Sequence, residues 1–350
     1  MQPIDMTTLY FTVDTEYEPA FTARMGLDSR RSNFERSILG RTAAGDAGIV
    51  YQMEMLDRFG LKGVFFVCPM PSLLWGVAAI EDVVGPIVER GHDVQLHLHP
   101  EWLELAPSGR NPLGRRTGRN IKDFSFAEQC ELIGLAKSIL ERAGAPSPVA
   151  FRAGNYGANQ DTLRALATHG IRYDSSHCPA IEDSFCDIGL GPDDRRPMTY
   201  RDVVEVPAGC VENAARRLRH AQLTALSVQE IIAALRHARD HELENFTLVS
   251  HSFELLSRDR QRINRIVKRR FDTLCEEVAG MPRVSTGTFA ANPPRPLVRR
   301  QPRPILPGNP LRTGLRYIEQ AISNAIYGAR AYVPVLVLAE QTLGHGAYVI

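Results

Sequence analysis

The stretch GLKGVFFVC, residues 60–68, decides the fold. A glycine-bounded turn leads into a nearly continuous run of Val and Phe, which is typical of a strand buried on both faces of a parallel sheet. Amphipathic helical patterns lie on either side of this run, at residues 49–59 and 80–90, and a glycine follows each of them. A helix, a buried strand and a second helix in this order predict an α/β fold whose helices cover a parallel sheet.

The same alternation continues along the chain to about residue 290. Further strand-like runs lie at residues 9–13, 94–99, 149–152, 203–206 and 246–250 and near Val284, and further helical patterns lie at residues 126–142, 160–168, 228–241 and 262–278. About seven strands separated by helices suit a barrel or a doubly wound sheet. In both architectures the functional site lies at the carboxyl ends of the strands, so we expect chemically active side chains directly after strands.

The composition is that of an ordinary globular protein and argues against several functional classes. The chain has 350 residues, 44% of them hydrophobic, and its 41 basic residues nearly balance 40 acidic ones, which disfavours nucleic acid as a partner. The sequence contains no run of about 18 apolar residues, so we predict no membrane span. The first residues also lack the pattern of a secretory signal. The six cysteines form no CxxC pair and are interpreted as reduced thiols. Together these features predict a cytoplasmic protein.

The distribution of proline divides the chain, because seven of the 23 prolines fall between residues 293 and 310. We predict three parts: a catalytic barrel at residues 1–290, a Pro/Arg-rich linker at residues 291–313 and a C-terminal appendage at residues 314–350. The appendage has a helical pattern at residues 314–331 and an apolar run at residues 333–338. We expect it to dock on the barrel or to join the chain to a second copy as a homo-oligomer.

Two polar stretches and one basic run fall outside the alternation. Residues 19–47 and 103–122 are long, polar and contain several arginines, and the first of them could fold over a site. The basic run at residues 258–270 is interpreted as a solvated helix face, with weak contact to a membrane surface as the alternative.

Pairs of side chains that could bind a metal ion follow two of the strands. Asp14 and Glu16 end the first strand, in FTVDTE, where one could bind metal while the other acts as a base, although a solvated acidic loop gives the same pattern. His97 and His99, in VQLHLHPEW, lie two residues apart and therefore on one face of a strand. Imidazoles in this arrangement suit zinc or a similar ion, and the neighbouring Glu101 could hold one of them in place.

Single polar residues follow three other strands. Arg152, in FRAGNYGAN, could clamp a carboxylate or could lie on the surface beside a turn. His251, after FTLVS, suits acid or base chemistry or the role of a hydrogen-bonded core histidine. Asp174 and Ser175, in YDSS, taken alone indicate a turn or a helix cap. Because parallel strands end at one edge, all these groups together would supply ligands, a base, an orienting cation and an acid for metal-assisted hydrolysis of an amide or ester.

These segments resemble the polysaccharide deacetylase family, the NodB-homology group or carbohydrate esterase family 4. The resemblance covers roughly residues 7–290 and rests on the segments FTVDTE, GLKGVFFV, GHDVQLHLHPEW, FRAGNYGAN, YDSS and LVSHSFEL. It is nearest to the WbmS-type variants found in O-antigen and exopolysaccharide gene clusters. The resemblance implies a distorted (β/α)7 barrel that removes N- or O-acetyl groups from sugars, usually with zinc or a related metal.

The resemblance also implies catalytic roles. Asp14 matches the family's catalytic base, Arg152 matches the arginine that holds the base, and His251 matches the histidine that acts as acid. The family's aspartate–tryptophan motif is not recognisable, and Asp174 with the adjacent serines is the candidate to replace part of it. Tyr156 and Ser175 are further candidates for contact with the substrate or with the catalytic groups.

The implied metal ligands depart from the family pattern at two positions. His97 matches the family's first metal histidine, and Glu16 stands where the family usually has aspartate. The second metal histidine normally comes four residues after the first, where this chain has Glu101. His99 is the substitute, so the implied ligands are Glu16, His97 and His99 with zinc as the metal.

The combined prediction is a metal-dependent deacylase. It would remove an N-acyl group, most simply acetyl, from an amino sugar or glycan precursor in surface polysaccharide biosynthesis. Two alternatives stay open at this point. One is a metal-independent amidohydrolase that acts on a small non-sugar amide, and the other is a glycan-binding barrel without catalytic activity.

Overall fold

The computed structural model describes residues 6–181, 184–297 and 304–328, in which strands and helices alternate as predicted. The strands are β1 (Thr7–Thr15), β2 (Arg41–Thr42), β3 (Gly45–Asp46), β4 (Val64–Val67), β5 (Asp93–Leu98), β6 (Ala150–Ala153), β7 (Tyr173–Asp174), β8 (Met198–Tyr200), β9 (Val203–Glu205), β10 (Cys210–Glu212), β11 (Leu218–His220), β12 (Asn245–His251) and β13 (Val284–Thr286). The helices are α1 (Pro19–Met25), α2 (Arg30–Asn33), α3 (Ile49–Arg58), α4 (Ser72–Trp75), α5 (Ala78–Glu89), α6 (Trp102–Leu105), α7 (Phe126–Arg142), α8 (Gln160–Thr168), α9 (Val228–Asp240), α10 (Arg265–Ala279) and α11 (Pro310–Tyr327).

Nine of the strands form one sheet in the order β12-β1-β4-β5-β6-β7-β9-β8, with β13 also paired to β1. Every neighbouring pair is parallel except β8 and β9. The sheet curls into an open half-barrel, which confirms the predicted distorted (β/α)7 barrel of the deacetylase type. Because these strands are parallel, the residues that end β1, β5, β6 and β12 lie along one edge of the sheet.

Both faces of the sheet are buried, which explains the apolar character of its central strands. Neighbouring residues of β4 point to opposite faces, so Phe65 joins the large cluster under the helices while Phe66 joins a smaller cluster inside the curl. Phe289, which follows β13, belongs to the same inner cluster and stacks on Tyr10 with 5.0 Å between the ring centroids. The interior is therefore a packed apolar core. Polar side chains lie next to this core, at the carboxyl ends of the strands.

The helix boundaries follow the sequence patterns closely, and the differences have local causes. Helices α7 and α8 have the bounds predicted from residues 126–142 and 160–168. Helix α10 begins three residues later than predicted, because the Asn264 side chain accepts hydrogen bonds from two backbone amides of the first turn. Helix α11 begins at Pro310, within the predicted linker, because Asn309 caps it and proline suits the first helical position.

Other segments contain elements that the sequence patterns did not predict. Residues 19–47 include four short helical segments, α1 and α2 among them, and the β2–β3 hairpin. The hairpin β10–β11 has three residues in each strand, too few to give a clear alternation of apolar and polar residues. The apolar run at residues 333–338 lies outside the described residues.

The basic run at residues 258–270 connects the barrel to α11. Arg270 is 3% exposed and lies 2.5 Å from Glu319, and Arg262 donates a hydrogen bond to the carbonyl of Ile326 at 2.8 Å. The interpretation of the run as a solvated face is therefore wrong for Arg270, whose charge is used inside the protein. None of the described helices combines the length and the apolar composition needed to cross a bilayer.

Candidate active site

Four strands bring the predicted residues together at their carboxyl ends. In the register between β1 and β12, Asp14 stands opposite His251, and in the register between β5 and β6, His97 stands opposite Arg152. Only β4 separates β1 from β5 in the sheet. Residues far apart in the chain therefore share the sheet edge at which parallel α/β folds place their sites.

Asp14 and Arg152 form a buried ion pair. Arg152 Nη1 lies 2.6 Å from Asp14 Oδ1 and 3.0 Å from the Thr12 hydroxyl, while Nη2 and Nε donate to the hydroxyl and the carbonyl of Ser175. The guanidinium of Arg152 is fully buried and lies 4.3 Å from the centre of the Phe66 ring. With its donors engaged on three residues, Arg152 is held in one orientation and in turn fixes the Asp14 carboxylate.

The charge state of Asp14 follows from this pairing. Burial raises the pKa of a carboxyl group, but the Arg152 guanidinium and then the imidazoles of His97 and His251 outweigh burial and hold the pKa of Asp14 below its ordinary value. Asp14 is therefore a carboxylate at neutral pH and is able to accept a proton.

Glu16, His97 and His99 form a cluster whose donor set suits a metal ion. Glu16 Oε2 lies 2.7 Å from His99 Nε2 and 3.7 Å from His97 Nε2, and the two Nε2 atoms are 3.1 Å apart. Two nitrogens bound to one tetrahedral zinc ion at about 2.0–2.1 Å lie roughly 3.4 Å from each other. The three separations lie on both sides of this value, and two imidazoles with one carboxylate are a ligand set that zinc uses.

Hydrogen bonds on the far side of each imidazole orient this cluster. His97 donates from Nδ1 to the carbonyl of Arg152 at 2.7 Å, and His99 donates from Nδ1 to Glu101 Oε2 at 3.1 Å. Both Nε2 atoms therefore face Glu16, which is the orientation in which imidazoles present a lone pair to an ion. Glu101 therefore contacts the candidate ligand His99 and is not itself one of the three residues of the cluster.

A glycine makes room for the His99 ring. A Cβ at Gly154 would lie 2.6 Å from two atoms of that ring, which is closer than side chains pack. The FRAGNYGAN segment predicts a turn at this glycine, whereas the structure adds a second requirement, the close approach of an imidazole from β5.

His251 is paired with an acid that the sequence analysis did not assign. Its Nδ1 lies 2.6 Å from Glu254 Oε2, and Glu254 also accepts hydrogen bonds from Gln222 Nε2 at 2.9 Å and from the backbone amide of Thr224 at 3.1 Å. Burial lowers the pKa of an imidazole, but the adjacent Glu254 carboxylate outweighs burial and raises the pKa of His251 to about 9. His251 is therefore an imidazolium at neutral pH.

Asp174 and Ser175 are adjacent in sequence but lie beside different residues in the structure. Ser175 holds Arg152, as described above, whereas Asp174 stands opposite Glu205 in the register between β7 and β9. Asp174 and Glu205 are both fully buried, and burial followed by the Asp174 charge raises the pKa of Glu205 well above its ordinary value. Burial therefore favours the protonated form of Glu205, opposite Asp174.

Tyr156 and His220 form a further polar pair near these groups. The Tyr156 hydroxyl lies 3.1 Å from His220 Nε2, and both Asn155 and Tyr156 have positive φ angles, 55° and 57°. Non-glycine residues in this region carry strain that is often found at functional sites. Burial, followed by the charge of Arg152, lowers the pKa of His220 to about 4, so its imidazole is neutral. His220 lies on the unpredicted β10–β11 hairpin, and no sequence pattern pointed to it.

Known proteins share this fold but little of the sequence. No protein-family model and no curated protein matches the chain. The structure is similar to a candidate polysaccharide deacetylase from Mycobacterium smegmatis, with 17% identity, a TM-score of 0.53, and coverage of 87% of this chain and 97% of that one. The fold is that of a polysaccharide deacetylase.

Two further structures are similar at lower identity. The 4-α-glucanotransferase of Thermococcus litoralis has 11% identity and a TM-score of 0.51, over 81% of this chain and 40% of that one. A family 4 carbohydrate esterase from Streptomyces lividans, in complex with acetate, has 12% identity and a TM-score of 0.41, over 81% of this chain and 93% of that one. At these identities the likeness concerns the fold alone, and the activity has to be argued from the residues of the site.

Proposed function

We propose that the protein is a divalent-metal-dependent hydrolase that removes an N-acyl group, most simply acetyl, from an amino sugar or glycan precursor. One observation carries the proposal: a buried carboxylate, an imidazole with a raised pKa and a cluster of three metal-type ligands meet at one sheet edge. Hydrolysis of an unactivated amide needs a base for the water, an acid for the amine and stabilisation of the developing negative charge.

Asp14 is the proposed general base. Its carboxylate is charged at neutral pH, and the 2.6 Å contact with Arg152 directs it. The same contact lowers the basicity of Asp14, so the carboxylate suits a water molecule whose acidity is already increased. Ser175 and Thr12 act through Arg152, because their hydrogen bonds keep the guanidinium aligned with the carboxylate.

Glu16, His97 and His99 are the proposed ligands of the divalent ion, most simply zinc. When bound, such an ion supplies Lewis acidity toward the water and the substrate carbonyl. Glu101 and the carbonyl of Arg152 orient the two imidazoles, and this orientation supports the assignment of His99 as a ligand in place of a histidine four residues after His97.

His251 is the proposed general acid. An amine leaves readily only after its nitrogen receives a proton, and an imidazolium with a pKa of about 9 holds that proton at neutral pH. Since Nδ1 is bound to Glu254, Nε2 is the atom that would donate to the substrate. Glu254 is a positioning residue that also maintains the charge of His251.

Carbohydrate is the proposed substrate class. The sequence resemblance to the polysaccharide deacetylases supports it, and so do the descriptions of two proteins of similar fold, a polysaccharide deacetylase and a glucanotransferase. We further propose that Tyr156 and His220 contact the sugar, because they place a hydroxyl and a neutral imidazole beside the reacting groups. More specifically, we propose a WbmS-like enzyme that acts in the cytoplasm on a precursor of O-antigen or another surface polysaccharide.

The test is amine release by the purified full chain from N-acetylated sugars, free and nucleotide-linked, and from small non-sugar N-acetyl amides. We expect release from at least one sugar, loss after chelation and recovery after addition of a divalent ion. Chelator-resistant hydrolysis of the non-sugar amides would instead support a metal-independent amidohydrolase. Saturable binding of the sugars without turnover would support a glycan-binding protein.

Replacement of Glu254 is expected to move the pH profile. A histidine whose folded pKa is raised by a carboxylate acts as acid at pH values below that pKa and loses activity above it. Glu254→Gln removes the charge, so we expect the basic limb of the kcat profile to move about one to three pH units toward acid. The measurement is kcat from pH 6 to 10, and an unchanged basic limb would refute the assignment of Glu254.

Gly154→Ala is expected to weaken metal binding because a Cβ there would displace the His99 ring. We expect the affinity for Zn²⁺ to fall by about 10- to 100-fold, the range typical of disturbed ligand orientation. Titration calorimetry checks this, with Gly191→Ala as the control because a Cβ at Gly191 would have nothing within 4 Å. Equal affinities in the two variants would show that His99 does not bind the ion.

A further inference from the structure

Helix α11 is attached to the barrel by its polar face. Arg316 is fully buried and lies 3.1 Å from Glu230 of α9, and Glu319 lies 2.5 Å from Arg270 of α10. Gln320 donates to the carbonyl of Thr224 at 3.3 Å. Ion pairs and hydrogen bonds therefore hold this helix in a fixed orientation.

The apolar side chains of α11 form a stripe on the opposite face, in solvent. The stripe consists of Leu311, Leu315, Ile318, Ile322 and Ile326. Their exposed fractions range from 47% for Ile322 to 72% for Leu311. A helix on a globular protein normally turns its apolar face to the core and its charges to water. In α11 this order is reversed.

The size of the stripe is sufficient for a specific interface. Five large side chains that are about half exposed or more present roughly 500 Å² of apolar surface, within the range of the largest patch on a monomer. Two such stripes in contact would bury about 1,000 Å² in total, the minimum expected of a specific protein interface.

We propose that the stripe of α11 is the interface through which two copies of this chain pair, helix against helix, about a two-fold axis. The spacing of four, three and four residues from Leu311 to Ile322 is typical of helices that pack against each other. A two-fold axis brings identical surfaces together, which is favourable here because the stripe itself carries no charge. Attachment to the barrel holds the helix before pairing and so reduces the entropic cost of association.

The distribution of charge favours a second copy over a membrane surface. Helices that lie on anionic bilayers carry Lys or Arg along the border of the apolar face. The charged residues of α11 are Arg312, Arg316 and Glu319, and each has a partner on the protein: the carbonyl of Pro307, Glu230 and Arg270, respectively. Residues 329–350 of the same chain are the other occupant to be excluded, since a monomer would result if they covered the stripe.

The experiment is sedimentation equilibrium of the full chain at several concentrations. We expect a species of twice the 38.9 kDa chain mass, and conversion to monomer in the double variant Ile318→Glu/Ile322→Glu. Both side chains are about half exposed and glutamate favours helix, so we expect the Tm of a monomeric barrel to be retained. Met25→Glu is the control, because Met25 is 58% exposed but lies outside α11, and it should leave the dimer intact.

Several outcomes would overturn the proposal. A wild-type chain that sediments as a monomer at all concentrations would mean that something other than a second copy covers the stripe. A dimer that persists in the double variant would assign the interface elsewhere. Flotation of the wild-type monomer with vesicles of phosphatidylcholine and phosphatidylglycerol, lost in the double variant, would make the stripe a membrane contact. None of these readouts depends on the proposed enzymatic activity.

Discussion

We expect Asp14→Asn to lower kcat for amine release by about 10²- to 10⁴-fold, the contribution typical of a positioned general base. Asparagine retains an oxygen for Arg152 but cannot accept a proton from water. The change also removes one charge from a buried ion pair, for which we expect a loss of about 3 kcal/mol or less in the free energy of unfolding, because Arg152 keeps its bonds to Thr12 and Ser175. Steady-state kinetics with a thermal unfolding curve of the same sample separates the two effects.

Glu205→Gln is the matched control for Asp14→Asn. It is the same carboxyl-to-amide replacement at a fully buried residue in the neighbourhood of Arg152, but burial and the charge of Asp174 hold the pKa of Glu205 well above its ordinary value, so the amide replaces a carboxyl whose neutral form is already favoured. We therefore expect kcat to stay within about threefold of wild type. Equal losses in both variants would mean that Asp14 affects activity through folding alone, and full activity of Asp14→Asn would refute its role as base.

We expect His251→Ala to slow the hydrolysis of different substrates to different extents, depending on how readily the leaving group departs without a proton. Release of an amine needs a proton from His251, so we expect the amide kcat to fall by about 10²- to 10⁴-fold. An aryl acetate expels a stable phenolate without that proton, and we expect its hydrolysis to change by less than about tenfold. The measurement is the ratio of the two rates in the wild type and the variant.

The control for this second prediction is His241→Ala, since His241 is exposed at the end of α9, away from the sheet edge of the site. Both rates should equal those of the wild type. An equal loss of amide and ester hydrolysis in His251→Ala would contradict the acid role and would favour an effect on substrate binding or on the site as a whole.

The fold was predictable because its central strands are buried on both faces. A run such as residues 63–68 has few structural alternatives, and the glycines that close the helical patterns mark their ends. The elements that were missed are short. The β10–β11 hairpin is held by its pairing and by neighbouring segments, and three residues per strand contain too little periodicity to reveal it.

The candidate site was predictable to the extent that its residues end strands. Asp14, His97, Arg152 and His251 all follow apolar runs, and parallel strands bring such ends together without any further information. The orientation of each group was not predictable, because it depends on contacts between distant segments. Examples are the hydrogen bond from His97 to a backbone carbonyl of β6 and the space that Gly154 leaves for an imidazole.

Glu254 is a residue of the site that the family resemblance did not predict. The resemblance named no acidic partner for His251, yet Glu254, three residues further along the same segment, contacts its imidazole. Glu254 is close to His251 in sequence, but a single turn after a strand can direct a carboxylate toward either side. Its hydrogen bonds to Gln222 and Thr224, residues that precede α9, decide the direction.

We propose that Glu16, His97 and His99 bind a divalent ion at the edge of the sheet where Asp14 and His251 lie. Calorimetric titration of the metal-free full chain with Zn²⁺ measures this binding, with the double variant His97→Ala/His99→Ala measured in parallel. We predict one ion per chain for the wild type and a loss of at least about 100-fold in affinity for the double variant. A wild type that binds no divalent ion, or a double variant that binds as tightly as the wild type, would contradict the account.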